Sequence, residues 1–133
     1  MKHLLLKKLI KKILINHNLI NEHAETCANA LINAELVGAP SHGLSRLRMY
    51  CERISKKVIN PKPKIKIKKI SQSISHIDAD NSIGFVAADT AIKVGIKNAK
   101  KTGIGLVAVK NSGHYGLSGY YAEQAVKKGL MVM

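Results

Sequence analysis

The strongest constraint on this chain is a change of period at Asn60-Pro61-Lys62-Pro63. Two prolines one residue apart disfavour both a helix and a central strand, so this segment reads as a linker. Before it, apolar residues recur at three and four. Leu5, Leu6, Leu9, Ile10, Ile13 and Leu14 mark an amphipathic helix from Leu4 to about His17, with Lys7, Lys8, Lys11 and Lys12 on its other side. Asn21 is suited to cap a second helix running to about Leu36, with Cys27, Leu31 and Ala34 toward a core. Gly38-Ala39-Pro40 ends it, and a third helix from Ser41 or Leu44 to Lys56 gathers Leu47, Tyr50, Cys51 and Ile54 on one face.

After the linker the pattern becomes that of strands. Lys64-Ile65-Lys66-Ile67-Lys68 alternates strictly, as an edge or half-exposed strand does. Ser73 to Asp78 reads as a second strand. Asp80-Asn81-Ser82 reads as a turn capping a helix from about Ile83 to Lys101, which Gly103 terminates. The apolar runs Ile104 to Val109 and Leu130 to Met133 read as buried strands, separated by a helix from about Gly116 to Lys128. The expected architecture is therefore α/β, of the α+β kind: a helical N-terminal domain over 1–62, then an incomplete α/β domain over 63–133. Strands apolar on both faces need neighbours, so the chain alone is expected to be marginally folded or aggregating and without turnover.

Charge bears on what such a chain binds. The 133 residues carry a formal charge of +14, which in general favours nucleic acid or anionic membrane. Here 19 of the 22 basic residues are lysines spread over several separate segments rather than gathered on one face, so they read as a solvated surface, and neither partner is expected. The N-terminal leucines are interrupted by lysines, giving neither a signal peptide nor a membrane span. Two cysteines, Cys27 and Cys51, form no framework, which points to a reducing cytoplasm.

Against the lysine background, all three arginines, Arg46, Arg48 and Arg53, fall in one short window beside His42. Histidine exchanges a proton near neutral pH, and a guanidinium grips a carboxylate through two parallel hydrogen bonds, which lysine does not imitate. His42 lies in Pro40-Ser41-His42-Gly43, and His114 in Asn111-Ser112-Gly113-His114-Tyr115-Gly116, at the carboxyl end of an expected strand, where α/β folds place ligands. No carboxylate cluster stands near either histidine, so no metal is expected. Gly103-Ile104-Gly105-Leu106-Val107-Ala108 has the letters of a dinucleotide fingerprint, but its glycines close a helix and open a strand, the reverse of what a phosphate cradle requires.

These segments resemble the malate/L-lactate dehydrogenase family, NAD(P)-dependent oxidoreductases of 2-hydroxy and 2-oxo acids that are unrelated to the Rossmann-type enzymes. The resemblance rests on Ser41-His42-Gly43-Leu44-Ser45-Arg46, on Asn60-Pro61, on the run from Gly103 to His114, and on Gly119-Tyr120-Tyr121-Ala122, in that order. Such sequences usually read Asp-x-Arg-Gly-x-Asp before Ser-His-Gly, whereas Glu35 to Pro40 lacks the arginine and the second acid. The resemblance implies a helical domain joined to a non-Rossmann mixed-sheet cofactor domain, NAD or NADP as cofactor, a small 2-hydroxy or 2-oxo acid as substrate, and a homodimer at full length. It further implies His42 and His114 as catalytic groups, with Ser41 and Arg46 as substrate-binding ones; it assigns no cofactor-binding residue here. Full-length members are more than twice as long, so the expectation is an N-terminal fragment. The alternative is an inactive remnant or a small basic interaction protein.

Overall fold

The computed structural model describes residues 2–133; Met1, at the head of the basic N-terminal stretch, lies outside the described residues. The order is α1 (Lys2–Asn16), α2 (Asn21–Leu36), α3 (Leu47–Ser55), β1 (Lys66–Lys69), β2 (Ile74–Ser82), α4 (Gly84–Thr102), β3 (Leu106–Ser112) and α5 (Ser118–Val126). Two short 3-10 turns, Pro40–His42 and Leu44–Arg46, fill the space between α2 and α3. This is an α/β fold. None of its described helices is long and apolar enough to cross a membrane.

Among the described residues, an apolar cluster holds the helices together. Ile10 and Leu14 of α1, Cys27, Ala28 and Leu31 of α2, and Tyr50 and Ile54 of α3 pack with Ile83, Phe85 and Val86 at the start of α4. The core thus draws on residues from both sides of the Pro61–Pro63 segment. Each fully buried leucine, isoleucine or phenylalanine contributes roughly 1.5–3 kcal/mol. The stripe of α1 is only half used, because Leu5 and Leu9 remain exposed while Ile10 and Leu14 are covered. Asn21 is the first residue of α2 rather than its cap. Ile20 occupies the cap position in extended conformation, without a side-chain hydrogen bond.

The sheet has the order β1-β2-β3, with β1 antiparallel to β2 and β2 parallel to β3. A parallel pair needs a crossover, and α4 supplies it. Gly103 ends α4 at φ +82°, the left-handed conformation that glycine adopts without strain.

Three sequence expectations are corrected here. The segment Asp80-Asn81-Ser82 is no helix cap; it belongs to β2 and makes an irregularity in its pairing with β3, Asp80 and Asn81 taking φ of +51° and +53°. Short polar side chains tolerate that conformation by bonding locally. There, one Asp80 carboxylate oxygen accepts hydrogen bonds from the Lys64 amide (2.8 Å) and the Asn60 side chain (3.0 Å), tying the proline segment to the sheet. The run expected as a buried strand forms β3 but stays largely open, with Leu106 55% exposed, because β3 is the edge of the sheet and only β2 pairs with it. Leu130 to Met133 forms no strand; with no strand beside it, the segment is irregular and Met131 is 88% exposed.

Candidate active site

The helix expected from Ser41 or Leu44 begins only at Leu47. Pro40 and Gly43 break the preceding stretch into the two 3-10 turns, which carry Ser41, His42 and Arg46 on a tight loop. The loop is closed by its own polar groups. Ser45 Oγ donates to the Pro40 carbonyl at 2.7 Å, and Arg46 Nε donates to the Ser41 carbonyl at 2.8 Å. Ser41 Oγ lies 3.1 Å from His42 Nδ1. Using its Nε on the backbone orients the Arg46 guanidinium and leaves its two terminal nitrogens for a ligand. Arg48 instead pairs with Glu52 one turn along the exposed side of α3.

His114 arrives from the other half of the chain, two residues beyond the carboxyl end of β3. Its ring stacks beside that of His42, with centroids 5.8 Å apart and an interplanar angle of 25°. The approach depends on small residues. A Cβ on Gly84 would stand 2.3 Å from the His114 carbonyl oxygen and 2.4 Å from that of Gly113, so only glycine lets this loop lie against the start of α4. Gly116 has φ +79°, and a Cβ there would meet the Phe85 ring at 2.5 Å.

Two groups address His114 Nδ1: the Tyr50 hydroxyl at 2.7 Å and the Gly116 amide at 3.3 Å. An amide N–H donates only, so these partners assign Nδ1 as an acceptor and place the proton of the neutral ring on Nε2. Tyr50 is 1% exposed, packs its edge on Phe85 at 4.9 Å, and has its phenol pushed up to about 12 by burial, so the hydroxyl keeps its proton. The His114 imidazole is lowered from its ordinary value by desolvation, then by the nearby charges of His42, Arg46 and Arg53. That favours the neutral ring at pH 7.

All four residues singled out in the sequence therefore meet: Ser41, His42 and Arg46 on one loop, and His114 facing them. Tyr50 and Gly116 were missed as site groups. Tyr50 reads in sequence as one more apolar position on a helix face. The signal that marks it is the hydroxyl, which needs a partner once buried. Among the described residues, no group of three or more His, Cys, Asp or Glu side chains is placed to hold a metal ion.

The chain matches the family model for malate/L-lactate dehydrogenase over residues 1–133. It is 44% identical over 110 residues to a malate dehydrogenase of Pyrococcus abyssi, covering 83% of this chain and 30% of that protein. It is 38% identical over 125 residues to an L-sulfolactate dehydrogenase of Methanocaldococcus jannaschii, covering 94% and 36%. Among solved structures, malate dehydrogenase from Pyrococcus horikoshii OT3 superposes with a TM-score of 0.89 at 38% identity, over 92% of this chain and 35% of that one. The chain thus spans about a third of the length of the curated relatives it matches.

Proposed function

The chain belongs to the malate/L-lactate dehydrogenase family, and from that premise we propose that Ser41, His42, Arg46 and His114 form the acid-handling part of an NAD- or NADP-dependent oxidoreductase. Its reaction is hydride exchange between the nicotinamide and C2 of a small 2-hydroxy or 2-oxo acid. The observation that carries the reading is the stacking of His42 on His114 beside Arg46, since residues so distant in sequence converge on one open surface.

The terminal nitrogens of Arg46 receive the substrate carboxylate as a fork. This fixes the acid before reaction and lowers the entropic part of the barrier. The two imidazoles then divide the work at the C2 oxygen. His114, held neutral with its proton on Nε2, donates a hydrogen bond to that oxygen. His42 carries the proton, because its Nδ1 faces only a serine hydroxyl, which donates or accepts as the tautomer requires. A positioned acid–base group of this kind supplies roughly 10²- to 10⁴-fold in rate.

The dinucleotide is a different matter. A pyrophosphate calls for cations or a helix N-terminus. A cavity of about 730 Å³ between α4, β3 and α5 is lined by small and apolar groups such as Ala87, Ala91, Val107 and Ala122, by Gly84, Ser118 and Gly119 at the starts of α4 and α5, and by no lysine or arginine. The cavity thus offers a pyrophosphate two helix starts and no cation, and the steps above involve only the acid.

The test is binding of L-malate and of sulfolactate, followed through the ring resonances of His42 and His114. Both acids are expected to shift those resonances, and Arg46→Lys to weaken binding about tenfold or more, because a point charge replaces a bidentate fork. Unmoved rings, or an Arg46→Lys protein that binds equally well, overturn the reading.

A further inference from the structure

The Ser41, His42 and Arg46 loop is folded by its own hydrogen bonds but not aimed by them. Ser45 to Pro40, Arg46 to Ser41, and the amides of His42, Gly43 and Arg46 all find partners within residues 39–46. One side chain from outside reaches in: Glu35, in the last turn of α2, accepts the Leu44 amide through Oε1 at 2.7 Å. Leu44 is the first residue of a 3-10 turn, so its N–H has no partner within that turn and would otherwise be left unpaired in a half-buried position. Charge makes this bond stronger than a neutral one.

The neighbouring residue is shaped to the same carboxylate. A Cβ on Gly43 would stand 2.2 Å from Glu35 Oε1 and 2.8 Å from its carboxyl carbon, so glycine at 43 is what allows Glu35 to reach Leu44. His114 is anchored separately, by Tyr50 from α3, by the Gly116 amide and by the close approach at Gly84. The distance between the two imidazoles is thus set by two independent anchors, one on α2 and one on α3 and α4.

We propose that Glu35 is a positioning residue: from α2 it holds the Leu44 amide and thereby fixes where His42 and Arg46 stand relative to His114. The proposal rests on the reading of His42 and Arg46 as substrate-facing groups, but its test does not depend on turnover. It concerns the geometry of the loop, and the groups facing His114 are His42, Arg46, Arg53 and the Tyr50 hydroxyl.

The experiment compares wild type, Glu35→Ala, Glu35→Gln and Gly43→Ala of the 133-residue chain by NMR, recording the cross-peak between the two imidazole rings and the titration of each ring. Glu35→Ala and Gly43→Ala are both expected to lose the cross-peak and to raise the His114 midpoint, as the His42 charge moves away. Glu35→Gln, which keeps an acceptor of the same reach, is expected to retain both. The proposal is overturned if Glu35→Ala preserves the cross-peak and the midpoint, or if Gln behaves like Ala. Should Glu35→Ala fail to fold, Gly43→Ala decides: it keeps the carboxylate and adds one methyl group, and a wild-type ring pair in that variant overturns the proposal. A wrong function shows up separately, as hydroxy acids that leave the wild-type rings unmoved while the Glu35 dependence persists.

Discussion

The helical region, α1 to α3, and the sheet region, β1 to β3 with the tail, were read from the same kind of apolar patterning, yet they fare differently. The faces assigned to α2 and α3 are largely covered: Cys27, Leu31, Ala34 and Tyr50 are fully buried and Ile54 is buried, with Leu47 and Cys51 half-buried beside them. The apolar runs assigned to buried strands are not, since Leu106, Val109, Met131 and Val132 are all exposed. A helix closes its hydrogen bonds within itself and needs only a neighbour for one stripe. A strand needs partners along both edges and layers over both faces before its side chains are covered, and those come from elsewhere in a chain. Half of α1 makes the same point within the helical region, because Leu5 and Leu9 are exposed where no neighbour lies against them.

The contrast breaks most visibly at the junction of the two regions. Phe85, 1% exposed, packs against Tyr50 and under Gly116, so it joins the shared core to the His114 loop. Phe85→Ala is expected to lose about 3–5 kcal/mol in urea unfolding and to release the His114 ring from Tyr50. A loss below about 1 kcal/mol would mean that the two regions do not share a core.

A smaller effect is expected from pH. His114 and His23 are both held below the ordinary value of 6.5, desolvation being the first cause for each. Their folded forms bind protons more weakly than the unfolded chain does. The stability they contribute is therefore complete above about pH 6.5 and lost as pH falls through 6.5 toward their folded-state values. Unfolding midpoints measured from pH 8 to pH 5 should fall, and His114→Gln should flatten part of that fall. An unchanged slope in the variant would remove His114 from the account.

The smallest effect sharpens the comparison. Leu106→Thr, on the open edge strand, is expected to change stability by no more than about 0.5 kcal/mol, against several for Phe85, while improving solubility. If Leu106→Thr costs as much as Phe85→Ala in the same unfolding experiment, the edge strand is covered in solution and the contrast between the regions fails.

Much of the architecture was legible because it is local. The break at Asn60 to Pro63, the ends of α2 and α4, and the stop at Gly103 follow from residues that restrict their own backbone. Where local signals were ambiguous the reading slipped. Asp80 and Asn81 suit both a helix cap and a left-handed irregularity in a strand, and pairing with β3 and with Lys64 decided for the latter. Ser41, His42, Arg46 and His114 stood out because small flexible residues flank the two histidines and arginine is rare in this chain. Tyr50 did not, since nothing in its own neighbourhood announces a partner 64 residues on; nor did Glu35, whose partner Leu44 is 9 residues away, because an acid at a helix end announces no particular amide.

By itself the sequence determined the order of the helices, the switch to strands after the prolines, the family, and the residue types available for chemistry on a carboxylate and a hydroxyl. Only the tertiary structure decided that His42 and His114 stack, that Tyr50 and Gly116 set the tautomer of one, and that Glu35 aims the loop carrying the other. The physical reason is range. Backbone preference and apolar period act over a few residues, whereas the hydrogen bond from Tyr50 to His114 and the glycine contacts that permit it exist only once the core has brought α3, α4 and the end of β3 together.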